Sequence, residues 1–432
     1  MKIHKIEIKN FKGFAEEIFH FNPHFTVIIG ENATGKTSIL DALAIVAGAY
    51  LLGIGEAPKY HIQKDEQVRR IDLGDRFAPQ FPVEIWADGE IYGQKLEKWG
   101  RILRSPESRT TKEADSIVSI AKEHEKITNS PQNTRTNLPV LAYYSTKRRE
   151  DKKPRIENRG KGSILQDGYY ACLELKSNSK AYLEWFQRKE IASKIAPKSK
   201  TKKDLDLVKE AISNCIENWE DVYYDFDEGD LVGTKYTNNG TTERMPFHYL
   251  SDGQKMVVGL VTDLAYRCVM LNGHLTEKAI QESQGIVLID EIDLHLHPRW
   301  QKRIVADLKR VFPNIQFIAT THSPFIVQSL STNEKINLGN IEDGLDSDPF
   351  KHGIEDIAEY EMGVEMPQRS QKFLEMERVA SEYFALVAQG KTSQTDKKVA
   401  QLRQRLNELE NYYSDDPAFV AFLKAERKSQ TL

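Results

Sequence analysis

Phe25-Thr26-Val27-Ile28-Ile29-Gly30-Glu31-Asn32-Ala33-Thr34-Gly35-Lys36-Thr37-Ser38 joins an unbroken apolar run to a glycine-bounded loop and a helix start. The run is too apolar for a half-exposed strand and reads as one buried on both faces. Ile39, Leu40, Leu43, Ile45, Val46 and Ala47 follow at helical spacing. Strand, loop and helix in this order are the context in which Gly30 to Thr37, a match to G-x-x-x-x-G-K-[ST], binds phosphate. Backbone N–H groups of Asn32, Ala33, Thr34, Gly35, Lys36, Thr37 and Ser38 are expected to surround phosphate oxygens at the positive end of the helix. Lys36 is placed to reach the β- and γ-phosphates of ATP, and the Thr37 hydroxyl to ligate Mg²⁺.

A second apolar run, Ile286-Val287-Leu288-Ile289, ends in Asp290-Glu291. Carboxylates at the carboxyl end of a buried strand stand where an open α/β sheet takes its ligand. Asp290 is expected to hold Mg²⁺ through water or directly, and Glu291 is suited to polarising the attacking water. A third run, Ile315 to Thr320, lies beyond an expected helix over 300–312. Strand, helix, strand implies a parallel sheet. Thr320-Thr321-His322-Ser323-Pro324 leaves that third strand, and Leu250-Ser251-Asp252-Gly253-Gln254 opens an amphipathic helix with Ser251 as its N-cap.

Farther out, 432 residues correspond to two or three domains, and 60 basic against 64 acidic residues give a net charge of −4. That composition excludes wholesale disorder, collagen and coiled-coil rods, and the charge balance conceals basic segments at 147–161 and 188–203, read as solvated faces or as phosphate-backbone contacts. Three widely spaced cysteines, Cys172, Cys215 and Cys268, make neither a disulfide framework nor a Cys-rich zinc site. Met1 to Ile8 alternates charge with isoleucine, unlike a signal peptide, and no stretch approaches the roughly 20 apolar residues of a membrane span. A cytoplasmic protein without membrane contact is expected. Helical patterns at Tyr182 to Phe186 and Leu205 to Trp219 indicate a helical lobe inserted at about 147–245. After Leu330, Phe373, Met376, Ala380, Tyr383 and Val387, then Val399, Leu402, Leu406, Leu409 and Tyr413, step by three and four around Gly390. The expected division is therefore 1–330 and a helical partner or assembly region at 331–432.

Leu250 to Gln254 resembles the L-S-G-G-Q signature of ABC-type ATPases, with Asp252 in place of the first glycine, and the Thr320–Pro324 segment resembles their switch-histidine loop. Ile8-Lys9-Asn10-Phe11-Lys12-Gly13-Phe14 is similar to the first-strand motif of the RecF/OLD-type branch. Asp290-Glu291-Ile292-Asp293-Leu294-His295-Leu296-His297-Pro298 and Ala142-Tyr143-Tyr144-Ser145-Thr146-Lys147-Arg148 narrow the resemblance to the OLD-like ATPases of prokaryotic defence systems. It implies an α/β, RecF/SMC-like P-loop ATPase head with ATP and Mg²⁺ as cofactors. It further implies His322 as a second catalytic residue and Ser251, Gly253 and Gln254 closing over the γ-phosphate held by another subunit. Asp293-x-His295-x-His297 then reads as a dimer-facing loop rather than a metal site.

With Asp346-Ser347-Asp348 the only D-x-D after the ATPase, and Pro349 following it, no intrinsic nuclease domain is expected. The chain most resembles the ATPase subunits of Septu anti-phage systems, including those attached to retrons. The implied partner is a small HNH nuclease, with self-association as a head-to-tail dimer. A higher oligomer and contact with DNA or a retron nucleoprotein are left open. The alternatives are an ATPase that sequesters a toxin in another defence system and a RecF-like DNA-repair ATPase.

Overall fold

The computed structural model describes all residues except 56, 109–111, 131–134, 146–162, 174–178, 196–199, 217–218, 237–239, 340–344, 346, 392–395, 411 and 413–432. In chain order the strands are β1 (Lys2–Phe11), β2 (Phe14–His20), β3 (Phe25–Ile29), β4 (Arg70–Asp72), β5 (Phe77–Pro79), β6 (Val83–Ile91), β7 (Gln94–Leu103), β8 (Val140–Tyr144), β9 (Glu220–Asp225), β10 (Asp230–Tyr236), β11 (Thr242–Pro246), β12 (Gly285–Ile289), β13 (Ile315–Thr320) and β14 (Lys335–Asn337). The α-helices are α1 (Lys36–Ala47), α2 (Asp115–Thr128), α3 (Ile164–Tyr169), α4 (Ser179–Ile195), α5 (Lys200–Cys215), α6 (Asp252–Asn272), α7 (Ala279–Glu282), α8 (Pro298–Gln301), α9 (Ile304–Val311), α10 (Pro324–Gln328), α11 (Ile354–Tyr360), α12 (Gln371–Ala388) and α13 (Lys397–Glu410).

The site is carried by a five-stranded sheet in the order β14-β3-β13-β12-β8, whose pairings are all parallel. Every residue of β3, β12 and β13 is buried. This explains their continuous apolar sequence, since a parallel sheet is covered on both faces. An antiparallel sheet, β2-β1-β6-β7, lies beside it, and α1 packs against strands of both. A helix held between two sheets has no solvent face to mark with polar residues, so α1 is apolar almost all round. Among the described residues two stretches, Lys36–Gly53 and Asp252–Glu282, are long and apolar enough to cross a membrane, and both are largely buried within the protein.

Three expectations are corrected. The inserted lobe is not purely helical, because β9, β10 and β11 form their own antiparallel sheet. β11 reads Thr-Glu-Arg-Met-Pro with no buried residue, so no alternation betrays it. The helix expected over 300–312 is two pieces, α8 and α9, separated at Lys302-Arg303. The compact units are Met1–Met362 and Gly363–Leu432, so the division falls after Met362 rather than Leu330. Residues 331–362 belong with the first unit because β14 pairs with β3, Ile336 opposite Ile28, and α11 packs on α10.

In the second unit α12 and α13 form the expected hairpin around Met376, Ala380, Leu406 and Leu409, with Phe373 and Tyr383 packed alongside. Much of the apolar stripe is thus buried within the hairpin itself. Tyr413, and the Ser414–Phe419 and Ala421–Leu423 segments, lie outside the described residues, as does the basic segment 147–161. In the other basic segment Lys189 pairs with Asp204 at 3.0 Å and Lys203 with Glu277 at 2.8 Å. Asp348 of the D-x-D run accepts from the Thr332 backbone N–H at 2.9 Å and hydroxyl at 3.0 Å, acting as a turn cap.

Candidate active site

Parallel pairing sets Ile289 opposite Ala319 and Thr320 opposite Ile28, so β3, β12 and β13 end at one edge and their following loops converge. The phosphate loop leaves β3 with left-handed backbone at Ala33 (φ 68°) and Gly35 (φ 101°). Gly35 has a second constraint, because a Cβ there would lie 2.5 Å from the Phe14 ring. Gly35→Ala is therefore expected to cost about 1–3 kcal/mol of stability and to weaken nucleotide binding by displacing the loop. Thermal unfolding with and without ATP checks this, and an unchanged midpoint together with unchanged ATP affinity would contradict it.

Lys36 is buried at the first position of α1, its Nζ donating to the Gly30 and Glu31 carbonyls, each at 2.7 Å. Burial holds its pKa below the usual lysine value, opposed by the carboxylates of Asp290, Glu291 and Asp293. One residue on, the Thr37 hydroxyl donates to both oxygens of Asp290, at 3.1 and 3.3 Å. A hydroxyl and a carboxylate converging in this way form the hard oxygen donor set that suits Mg²⁺, so these residues fit the ion.

Thr320, at the end of β13, connects the acidic pair. Its hydroxyl donates to Asp290 Oδ1 at 2.8 Å and accepts from the Glu291 backbone N–H at 2.8 Å. Glu291 is held at φ 54°, a left-handed conformation that a non-glycine residue adopts at a cost, which turns the chain sharply away from the strand. Asp293 accepts from the Thr321 hydroxyl at 2.5 Å and from the His322 backbone N–H at 3.3 Å, leaving the His322 ring exposed. Among the described residues no three of His, Cys, Asp and Glu are grouped to hold a metal, and the carboxylate of Asp293 is used to join two loops.

The structure also brings together two motifs whose side-chain roles were not legible in sequence. Lys12, from the β1–β2 turn, pairs with Asp41 on α1, and the Tyr143 hydroxyl donates to Asp41 at 3.0 Å. Asp41 lies one helical turn beyond Thr37, so this cluster fixes α1 between the antiparallel sheet and β8. Burial, then the charges of Asp41 and Asp290, push the Tyr143 phenol far above its ordinary value, which keeps it a proton donor.

Ser251 caps α6, its hydroxyl 3.4 Å from the Gln254 N–H, while Gln254 Oε1 accepts from the Ser251 N–H at 3.1 Å. Ser251 and Asp252 are exposed. Among the described residues no hydrogen bond joins Ser251, Gly253 or Gln254 to the phosphate loop of the same chain. Gly253 instead faces the loop beyond the acidic pair, where a Cβ would come within 2.4 Å of the His295 carbonyl oxygen.

A phosphate loop, an acidic strand end, a post-strand histidine and a capped L-S-D-G-Q helix around one parallel sheet define an ABC-type P-loop ATPase. Residues 25–328 match the family described as AAA domain, putative AbiEii toxin, Type IV TA system, and the chain belongs to that family. It is 28% identical over 391 residues to a retron Vc95 probable ATPase of Vibrio cholerae serotype O1 biovar El Tor, covering 79% of this chain and 74% of that protein. It is 42% identical over 111 residues to the Septu protein PtuA of Bacillus thuringiensis, covering 25% of this chain and 26% of that protein. Among solved structures, the SMC head domain from Thermotoga maritima matches with a TM-score of 0.40 and 16% identity, over 76% of this chain and 92% of that one. The relatives place the chain among ATPases of defence systems.

Proposed function

We propose that the chain binds ATP with Mg²⁺ at the phosphate loop, hydrolyses it slowly, and uses the bound nucleotide to close a head-to-tail dimer that controls an associated HNH nuclease in anti-phage defence. The observation that carries this reading is the convergence of Thr37, Asp290, Thr320 and Glu291 beside the buried Lys36. Lys36 exchanges its two carbonyl partners for phosphate oxygens, a stronger charge-assisted contact. Thr37 and Asp290 hold the ion, which when bound offsets the phosphate charge. Glu291, fixed by Thr320, orients a water and takes its proton on a carboxylate oxygen, with His322, exposed just beyond β13, as the second catalytic residue. Ser251 and Asp252, exposed at the N-terminus of α6, cap the nucleotide of a second copy. The HNH nuclease rests on the likeness to retron and Septu ATPases. Co-purification from the native operon tests it: an HNH protein recovered with the chain supports it, and a toxin recovered instead favours the toxin-sequestering alternative.

The second unit contains none of the phosphate, Mg²⁺ or switch residues, and its hairpin has its own small core. Removing residues 363–432 is therefore expected to leave ATP affinity within about 2-fold, as for independent parts of a protein, while reducing assembly size or nuclease recovery. Full recovery of the partner at unchanged assembly size would assign this unit to internal packing.

A further inference from the structure

Helix α6 is tied to the acidic strand end through an unusual group of buried polar side chains. The Tyr144 hydroxyl, at the end of β8, donates to Asp263 Oδ2 at 2.6 Å, and Arg267 Nε donates to the same oxygen at 2.9 Å. Arg267 Nη1 donates onward to the carbonyls of Gly168, at 2.9 Å, and Tyr170, at 3.1 Å, at the end of α3. The Asp263 and Arg267 side chains are only 5% and 4% exposed, so this ion pair is effectively out of water. A buried pair gives little net stability over apolar side chains of similar size, whereas its directional bonds fix the relative position of the elements it joins. Burial, then the charge of Asp263, hold the Tyr144 phenol well above its ordinary value, so it remains a donor.

The other end of the same residue reaches the candidate active site. The carbonyl of Tyr144 accepts the backbone N–H of Asp290 at 2.8 Å. Tyr144 therefore grips the metal-binding carboxylate's backbone with its main chain and α6 with its side chain. A second tie lies at the start of α6, where Gly253 packs against the His295 carbonyl. Helix α6 is thus joined to the Asp290–His295 segment at its first turn through Gly253 and at its middle through Tyr144.

We propose that Tyr144, Asp263 and Arg267 are positioning residues that couple each chain's own Mg²⁺ carboxylate to the helix with which that chain caps its partner's nucleotide. This inference rests on the head-to-tail reading above. Two nucleotide sites joined in this way bind and hydrolyse ATP cooperatively, because ordering one acidic strand end orients the cap of the other site.

The test compares full-length wild type with Tyr144→Phe, which removes one oxygen and leaves the Asp263–Arg267 pair in place. Wild type is expected to hydrolyse ATP with a Hill coefficient above 1. In Tyr144→Phe the coefficient should fall to about 1, because the gain in affinity for the second ATP, at least about 5-fold at the low end of ordinary coupling between binding sites, is lost. ATP affinity at the isolated site should change little. A purely structural role would lower the melting temperature and leave the Hill coefficient unchanged, and that result overturns the proposal. So does a non-cooperative wild type. Measuring the mass of Glu291→Gln with ATP separates the two levels: failure to dimerise refutes the head-to-tail reading, whereas normal dimerisation with unchanged cooperativity in Tyr144→Phe refutes only the coupling.

Discussion

Lys36→Ala is expected to weaken ATP binding by on the order of 100-fold, corresponding to ~3 kcal/mol for a charge-assisted contact to phosphate. The effect is large because Lys36 is the one cation inside a loop otherwise offering N–H donors, and because it is already desolvated. Its two 2.7 Å bonds to the carbonyls of Gly30 and Glu31 hold the ammonium within the loop before nucleotide arrives. Alanine removes the charge and leaves those carbonyls, which repel phosphate oxygens, without their donor. Equilibrium binding of labelled ATP measures this directly. Wild-type affinity in the variant would show that the phosphates lie elsewhere.

Glu291→Gln is expected to slow hydrolysis by about 10²–10⁴-fold while retaining nucleotide, the range for loss of a positioned general base. The amide keeps the shape of the carboxylate but cannot take the proton. The backbone features that hold Glu291, its left-handed φ of 54° and the 2.8 Å bond to Thr320, do not depend on the charge, so the substitution leaves the turn intact. ATP should accordingly persist at the site and the closed dimer accumulate. Single-turnover hydrolysis and particle mass with ATP and Mg²⁺ measure the two consequences. Unchanged turnover would transfer water activation elsewhere, with His322 the first candidate.

The phosphate loop and acidic pair were legible because their chemistry is local: each motif sits at the end of an apolar run that has to be a buried strand. Thr320 was not legible as a bridge. A threonine ending a buried strand reads simply as a good strand former, and only pairing β12 beside β13 sets its hydroxyl against Asp290. The Lys12–Asp41–Tyr143 cluster likewise joins residues 29 and 102 positions apart, beyond the reach of any periodicity argument. β14 escaped for a related reason, since three half-buried residues become a strand only by pairing with β3. In the C-terminal unit, periodicity identified both helices but not what covered them, and each helix covers the other.

In the proposed head-to-tail dimer, ATP at one chain's phosphate loop is capped by the α6 N-terminus of another. Asn32 and Asp252 are both exposed, while Cys172, Cys215 and Cys268 are all buried, so introduced thiols at the two surface positions would be the reactive ones. Mixing a chain carrying Asn32→Cys with one carrying Asp252→Cys under mild oxidation, with and without ATP, tests the geometry in one measurement. An ATP-dependent disulfide between the two chains, lost when Lys36→Ala is added to the Asn32→Cys chain, is the predicted result. The absence of any ATP-dependent cross-link, or a cross-link formed equally well within a single chain carrying both substitutions, would contradict it.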